Sequence, residues 1–134
     1  MTEQAFADTG FFVAILSRRD EHHRLAADLF RATQTPIITT SLVLVELGNF
    51  MCASKGRTLV APLIAKLERD PRVQIIHPDE DLFAAALKLY EQRPDKQWSL
   101  TDCASFVLME DLSIQKALTG DHHFEQAGFT VVLK

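Results

Sequence analysis

Short apolar runs alternate along the chain with longer stretches in which apolar residues recur every three or four positions. The runs at 4–7, 36–40, 73–77, 114–119 and 129–133 are too short for helices and predict strands. Between them, Leu25, Ala26, Leu29 and Phe30 mark a surface helix over 20–32, and Leu59, Leu63, Ile64 and Leu67 share one side of a helix over 59–67. Residues 11–16 start a helix or turn, and residues 82–90 form another amphipathic helix. Two helices are apolar nearly all round. One covers 42–53, broken only by Glu46 and Asn49, with Ser41 as its expected cap and Gly48 hinting at close packing; the other covers 98–109, where Ser99 or Thr101 can cap the start. Residues 93–97 form the clearest loop. Strands alternating with helices predict an α/β fold with a mainly parallel central sheet of about five short strands and helices on both faces.

At 134 residues the chain has the size of a single domain, and with 47% apolar and 24% charged residues it is neither disordered nor a disulfide scaffold. No apolar run approaches the roughly 20 residues of a membrane span, and Met1-Thr2-Glu3-Gln4 lacks a signal peptide's basic end, so a cytoplasmic protein without a membrane partner is expected. Cys52 and Cys103 both fall in expected helices and read as reduced core residues. A catalytic Cys103 would need a histidine base, and no particular histidine is oriented toward it by the sequence.

Against this background four acids are misplaced. Asp102 lies in the first turn of the 98–109 helix, Glu46 has Leu42, Val43 and Phe50 as neighbours one turn away, and Asp8 and Asp121 end expected strands. Three have an ordinary explanation: a capping box for Ser99-x-x-Asp102, a helix cap for Asp8, an arginine partner for Glu46. Together they suggest one site, because in a parallel sheet strand ends and the helix starts that follow collect at one edge. Oxygen ligands without cysteine or well-spaced histidine suit Mg2+ or Mn2+, and an acid-only cluster points to phosphodiester hydrolysis. A second acid two residues after Asp8, as in an aspartyl-phosphate phosphatase, is missing because position 10 is Gly; no P-loop, dinucleotide or nucleophile-elbow motif occurs. The formal charge of −4, from 14 basic and 18 acidic side chains, equals these four acids, and a cluster of four carboxylates would repel a phosphate backbone unless cations were bound first.

Asp8-Thr9-Gly10-Phe11-Phe12, the stretch Thr39-Thr40-Ser41-Leu42-Val43-Leu44-Val45-Glu46, Ser99-Leu100-Thr101-Asp102-Cys103-Ala104 and Leu118-Thr119-Gly120-Asp121-His122-His123-Phe124 resemble the PIN-domain family in order, spacing and context. The chain looks most like a VapC-type toxin endoribonuclease over nearly its whole length. The resemblance implies a single PIN-like domain over 1–134, with Asp8, Glu46, Asp102 and Asp121 as the catalytic, metal-binding acids. It also implies Thr9, Ser99 or Thr101 as supporting hydroxyls, and one or two Mg2+ or Mn2+ ions. An RNA substrate, a small antitoxin protein and a homodimer follow from the same likeness. The alternatives are a non-catalytic PIN-like module that binds RNA or protein, and an RNA-processing nuclease that is not a toxin.

Positive charge for RNA is sought at Arg18, Arg19, Lys55, Arg57 and Lys96, all in loops or helix starts. Trp98 is read as packing over the helix start rather than stacking on a base, and His22, His23, His122 and His123 as solvated. Surplus apolar surface for a dimer is expected at Leu44, Leu47, Phe50 and Met51.

Overall fold

The computed structural model describes residues 3–134. In order the elements are β1 (Ala5–Ala7), α1 (Thr9–Leu16), α2 (His23–Ala32), β2 (Ile37–Thr40), α3 (Ser41–Met51), α4 (Arg57–Arg69), β3 (Val73–Ile76), α5 (Glu80–Gln92), α6 (Leu100–Asp111), β4 (Lys116–Leu118), α7 (His122–Gln126) and β5 (Thr130–Val131). All strand pairs are parallel, in the order β3-β2-β1-β4-β5. The chain therefore steps one way from β1 to β3 and the other way from β3 through β4 to β5. Right-handed crossovers in opposite directions put their helices on opposite faces of the sheet, which is the expected α/β arrangement.

The reversal of strand order falls between β1 and β4. Ala7 is level with Leu118, so the residues that follow, Asp8 and Thr119, leave the sheet side by side, and the Asp8 N–H donates to the Leu118 carbonyl at 3.3 Å. A crevice at the carboxyl ends of strands where their order reverses is where open α/β sheets hold ligands. The strands beneath it are buried: Phe6 and Ala7 of β1, Ile37 and Ile38 of β2, and Leu118 of β4 join Phe11, Phe12, Leu47, Met109 and Phe124 in the core. Thr39 and Thr40, at the end of the run 36–40, belong to β2. The buried Thr39 hydroxyl donates to the Ala7 carbonyl at 2.8 Å, which satisfies it inside the sheet.

Several boundaries differ from the sequence reading for local reasons. Thr40, not Ser41, caps α3, accepting the Val43 N–H at 3.2 Å. The helix expected from Asp20 begins at His23, because the Asp20 carboxylate accepts the His22 N–H at 2.8 Å and closes a turn there. β5 is two residues long, yet Leu133 still donates to the Thr119 carbonyl at 3.1 Å, so the closing segment tracks β4 to the crevice. Trp98 packs as expected: it is buried, its ring lies edge-on to Phe106 with centroids 5.0 Å apart, and its indole N–H donates to Gln126 at 3.0 Å.

Two readings are corrected. Cys52 is exposed at the end of α3, and only Cys103 is buried. Leu44, Leu47 and Met51 belong to the core and offer no dimer surface; of the four residues expected to do so only Phe50 is exposed, at 68%, with Val45 of the same helix at 58%. The buried residues of α3, Val43, Leu44, Leu47 and Met51, share one face, but a helix apolar nearly all round does not mark in sequence which face turns inward.

Candidate active site

Asp8 occupies the N-cap position of α1, but its side chain makes no capping bond. It is 4% exposed; Oδ2 accepts the Thr119 hydroxyl at 3.2 Å, while Oδ1 is buried without a hydrogen-bond partner among the described residues. Burial pushes its carboxyl up to about 7, with the nearby charges of Asp102, Glu46 and Asp121 adding to the effect.

Asp102 does form the capping box: Ser99 Oγ accepts the Asp102 N–H at 3.0 Å, and Asp102 Oδ2 accepts the Ser99 N–H at 3.1 Å. The same Oδ2 lies 3.2 Å from His123 Nδ1. Burial raises the Asp102 carboxyl above its ordinary range, against the pull of the Ser99 N–H, and the Asp121 charge raises it further. The capping role and a place in the site are therefore compatible, since a cap engages one oxygen of two.

Asp121 caps α7 by accepting the His123 N–H at Oδ1, 2.9 Å away, and its own N–H donates to Thr119 Oγ1 at 3.1 Å. One carboxylate oxygen from each of Asp8, Asp102 and Asp121 lies within 4.8 Å of the other two. Glu46 is outside that group. It receives the Thr9 hydroxyl at 2.5 Å and lines, with Asp8, Thr9 and Asp121, one cavity of about 390 Å³. Among the described residues no arginine or lysine forms an ion pair with Asp8, Glu46, Asp102 or Asp121.

Thr119 is the site residue that the sequence reading passed over. Fully buried, it joins Asp8 to the Asp121 backbone, and the signal for it was a hydroxyl directly after an apolar strand, two residues before an acid. His123 was also missed. Its Nδ1 faces Asp102 and lies 3.5 Å from Asp121 Oδ1, whereas His122 stays solvated as read. His22, read as solvated, lines the acid cavity, and its ring would sit 3.3 Å from a Cβ on Gly120, so the close approach there suits glycine. His23 is tied to the Ala14 carbonyl, 2.7 Å from Nδ1. Burial pushes the Cys103 thiol up, away from nucleophilic use.

Of the proposed supporting hydroxyls, Thr9 and Ser99 bond to Glu46 and Asp102, while Thr101 contributes only its backbone carbonyl, to Ser105. Arg19 and Lys55 line a groove of about 720 Å³ that meets the acid cavity at Val13, Asp20 and Phe50. Arg57 donates to the Cys52 carbonyl, and Arg18 is exposed on the turn after α1. Lys96 lies elsewhere, in a hollow shared with Ser99 at the start of α6.

A parallel sheet with a carboxylate trio at its order reversal defines an α/β protein with an acidic crevice at the carboxyl edge of its sheet. The PIN-domain family model matches residues 5–130, and the chain belongs to that family. It is 30% identical over 128 residues to the 23S rRNA-specific endonuclease VapC20 of Mycobacterium tuberculosis, covering 95% of this chain and 96% of that one. The crystal structure of the same VapC20, described as a sarcin-ricin loop cleaving toxin, matches with a TM-score of 0.87 and 26% identity over 98% of this chain and 100% of that one. FitAcB from Neisseria gonorrhoeae shares the fold, with a TM-score of 0.67 and 18% identity over 96% of each chain. The chain is thus a homologue of a VapC-type ribonuclease toxin.

Proposed function

We propose that this protein is a metal-dependent endoribonuclease that hydrolyses RNA phosphodiester bonds, and the toxin of a toxin–antitoxin pair, acting as one PIN-like domain over 1–134. The observation that carries the metal reading is the state of the carboxylate oxygens. Each of Asp8, Asp102 and Asp121 has one oxygen held by protein donors, and among the described residues the other oxygen of each has none. Of these free oxygens Asp8 Oδ1 is the buried one, a buried acceptor without a partner costs about 1–3 kcal/mol, and three carboxylates so close repel one another. A hard divalent cation answers both problems, and an all-oxygen donor set fits Mg2+ or Mn2+.

Asp8, Asp102 and Asp121 would hold the cation, with Glu46 facing the same cavity as a fourth acid and room for one ion or two. When bound, it would lower the pKa of an attacking water and stabilise the leaving oxygen. The chain's own part is positioning. Thr119, Ser99 and the backbone at His123 hold the three aspartates, and Thr9 holds Glu46. Arg19 and Lys55, with Arg18 and Arg57 nearby and Lys96 on the α6 side, would contact RNA phosphates.

Likeness to VapC20 supports ribosomal RNA, and within it the sarcin-ricin loop, as the substrate. A small antitoxin, a homodimer and a cytoplasmic location complete the proposal. The dimer now rests on the exposed Val45 and Phe50 of α3, and among the described residues no helix is long and apolar enough to cross a membrane. A non-catalytic module with its acids neutralised by arginine is disfavoured, because among the described residues none of the four acids has such a partner.

The test is cleavage of ribosomal RNA by the wild type and by Asp102→Asn, with Mg2+ or Mn2+ and with chelator. New RNA ends should require both the metal and the carboxylate. Undiminished cleavage by the folded variant, or in excess chelator, sinks the reading. Growth arrest on expression, relieved by a neighbouring small open reading frame, would separate a toxin from a processing nuclease.

A further inference from the structure

His123 touches two of the three clustered acids, and neither a cap nor a core contact accounts for its ring. Asp121 caps α7 through the His123 backbone N–H, which would be served by any residue. The side chain instead turns toward the cluster, with Nδ1 3.2 Å from Asp102 Oδ2 and 3.5 Å from Asp121 Oδ1, and is 19% exposed. An ionised carboxylate only accepts, so Nδ1 is the nitrogen that carries the proton. Asp102 Oδ2 thereby receives two donors, the Ser99 N–H and the imidazole, while no protein donor among the described residues reaches its Oδ1.

We propose that His123 is a positioning residue of the metal centre: its Nδ1–H fixes the Asp102 carboxylate, beside Asp121, so that the unpaired oxygens are presented to the cation. This rests on the metal reading above. Partners of this kind set the orientation of a ligand that is otherwise free to rotate, and losing one typically lowers metal affinity 10- to 100-fold. The Ser99 N–H alone leaves the carboxylate hinged on a single contact.

The experiment is Mn2+ binding to the whole protein, measured by calorimetry, for the wild type and for His123→Ala, His123→Asn and His123→Gln. Thermal unfolding in chelator is followed in parallel. The Ala variant should bind Mn2+ 10- to 100-fold more weakly, with metal-free unfolding little changed. Asn places an amide N–H near the position of Nδ1 and should recover most of that affinity; Gln, which reaches toward the position of Nε2, should not. Unchanged Mn2+ affinity in His123→Ala overturns the inference while leaving the metal reading intact. Equal loss in Ala and Asn also overturns it, since that is the pattern of a direct ligand. A wild type that binds no Mn2+ removes the metal reading and this inference together.

Discussion

Asp8→Asn should stabilise the metal-free protein at neutral pH, although it removes a central residue of the site. The Asp8 carboxyl sits at about 7 in the folded protein against an ordinary 3.8, chiefly because it is buried, then because Asp102, Glu46 and Asp121 lie close. The folded state therefore holds this proton more tightly than the unfolded chain does. Its contribution to stability is fully present below about pH 4 and is lost as pH rises through about 7. The difference corresponds to about 4 kcal/mol, an upper figure, because water entering the cavity would reduce it. Asparagine stays neutral throughout and has an oxygen to accept the Thr119 hydroxyl. The advantage of the variant over the wild type should thus grow between pH 4.5 and 8 by about 1–4 kcal/mol, or on the order of 10 °C in Tm. Urea and thermal unfolding in chelator across that range measure it, and comparing the two proteins cancels the titration of groups outside the acid cluster. Saturating Mn2+ should reverse the order, since a ligand that binds only the folded wild type raises its stability alone. Parallel pH profiles for the two proteins would show that Asp8 has no raised proton affinity, and the argument from burial would fail.

Two further outcomes follow from the same contacts. Thr119→Val conserves shape but leaves Asp8 Oδ2 and the Asp121 N–H without their shared partner, so it should cost about 1–3 kcal/mol and weaken Mn2+ binding, with Thr119→Ser near the wild type; a Val variant as stable and as metal-competent as the wild type would contradict this. Far from the site, Arg72 grips Asp70 with two nitrogens, donates to the Phe30 and Thr33 carbonyls, and stacks over Phe30 at 4.8 Å. Arg72→Ala should therefore cost about 2–4 kcal/mol in urea unfolding without altering cleavage per folded molecule, and a loss below about 0.5 kcal/mol would place those contacts among ordinary surface pairs.

Element type was legible wherever periodicity was strong. The five short apolar runs are the five strands, and Ser99-x-x-Asp102 is the capping box it reads as. Boundaries slipped where side chains compete with the backbone, as Asp20 does at the start of α2 and Thr40 does at α3. The apolar helix at 42–53 was found, but which of its residues face outward was not, because exposed apolar residues such as Val45 and Phe50 blur the contrast between its inner and outer faces. Within the site, misplaced acids were visible as breaks in apolar pattern. Thr119 and His123 break no pattern and so gave no comparable signal.

What the chain by itself determined is the order and kind of its elements, and that acids interrupt four of them, because helix and strand periods and side-chain polarity are local properties. Only the tertiary structure decided that β1 and β4 are neighbours. That pairing sets Asp8 beside Thr119 and brings Asp102 and Asp121 within 4.8 Å of Asp8, while Glu46 stands apart on Thr9. Strand order depends on how whole faces bury against one another across more than a hundred residues of sequence, and no local window contains that information.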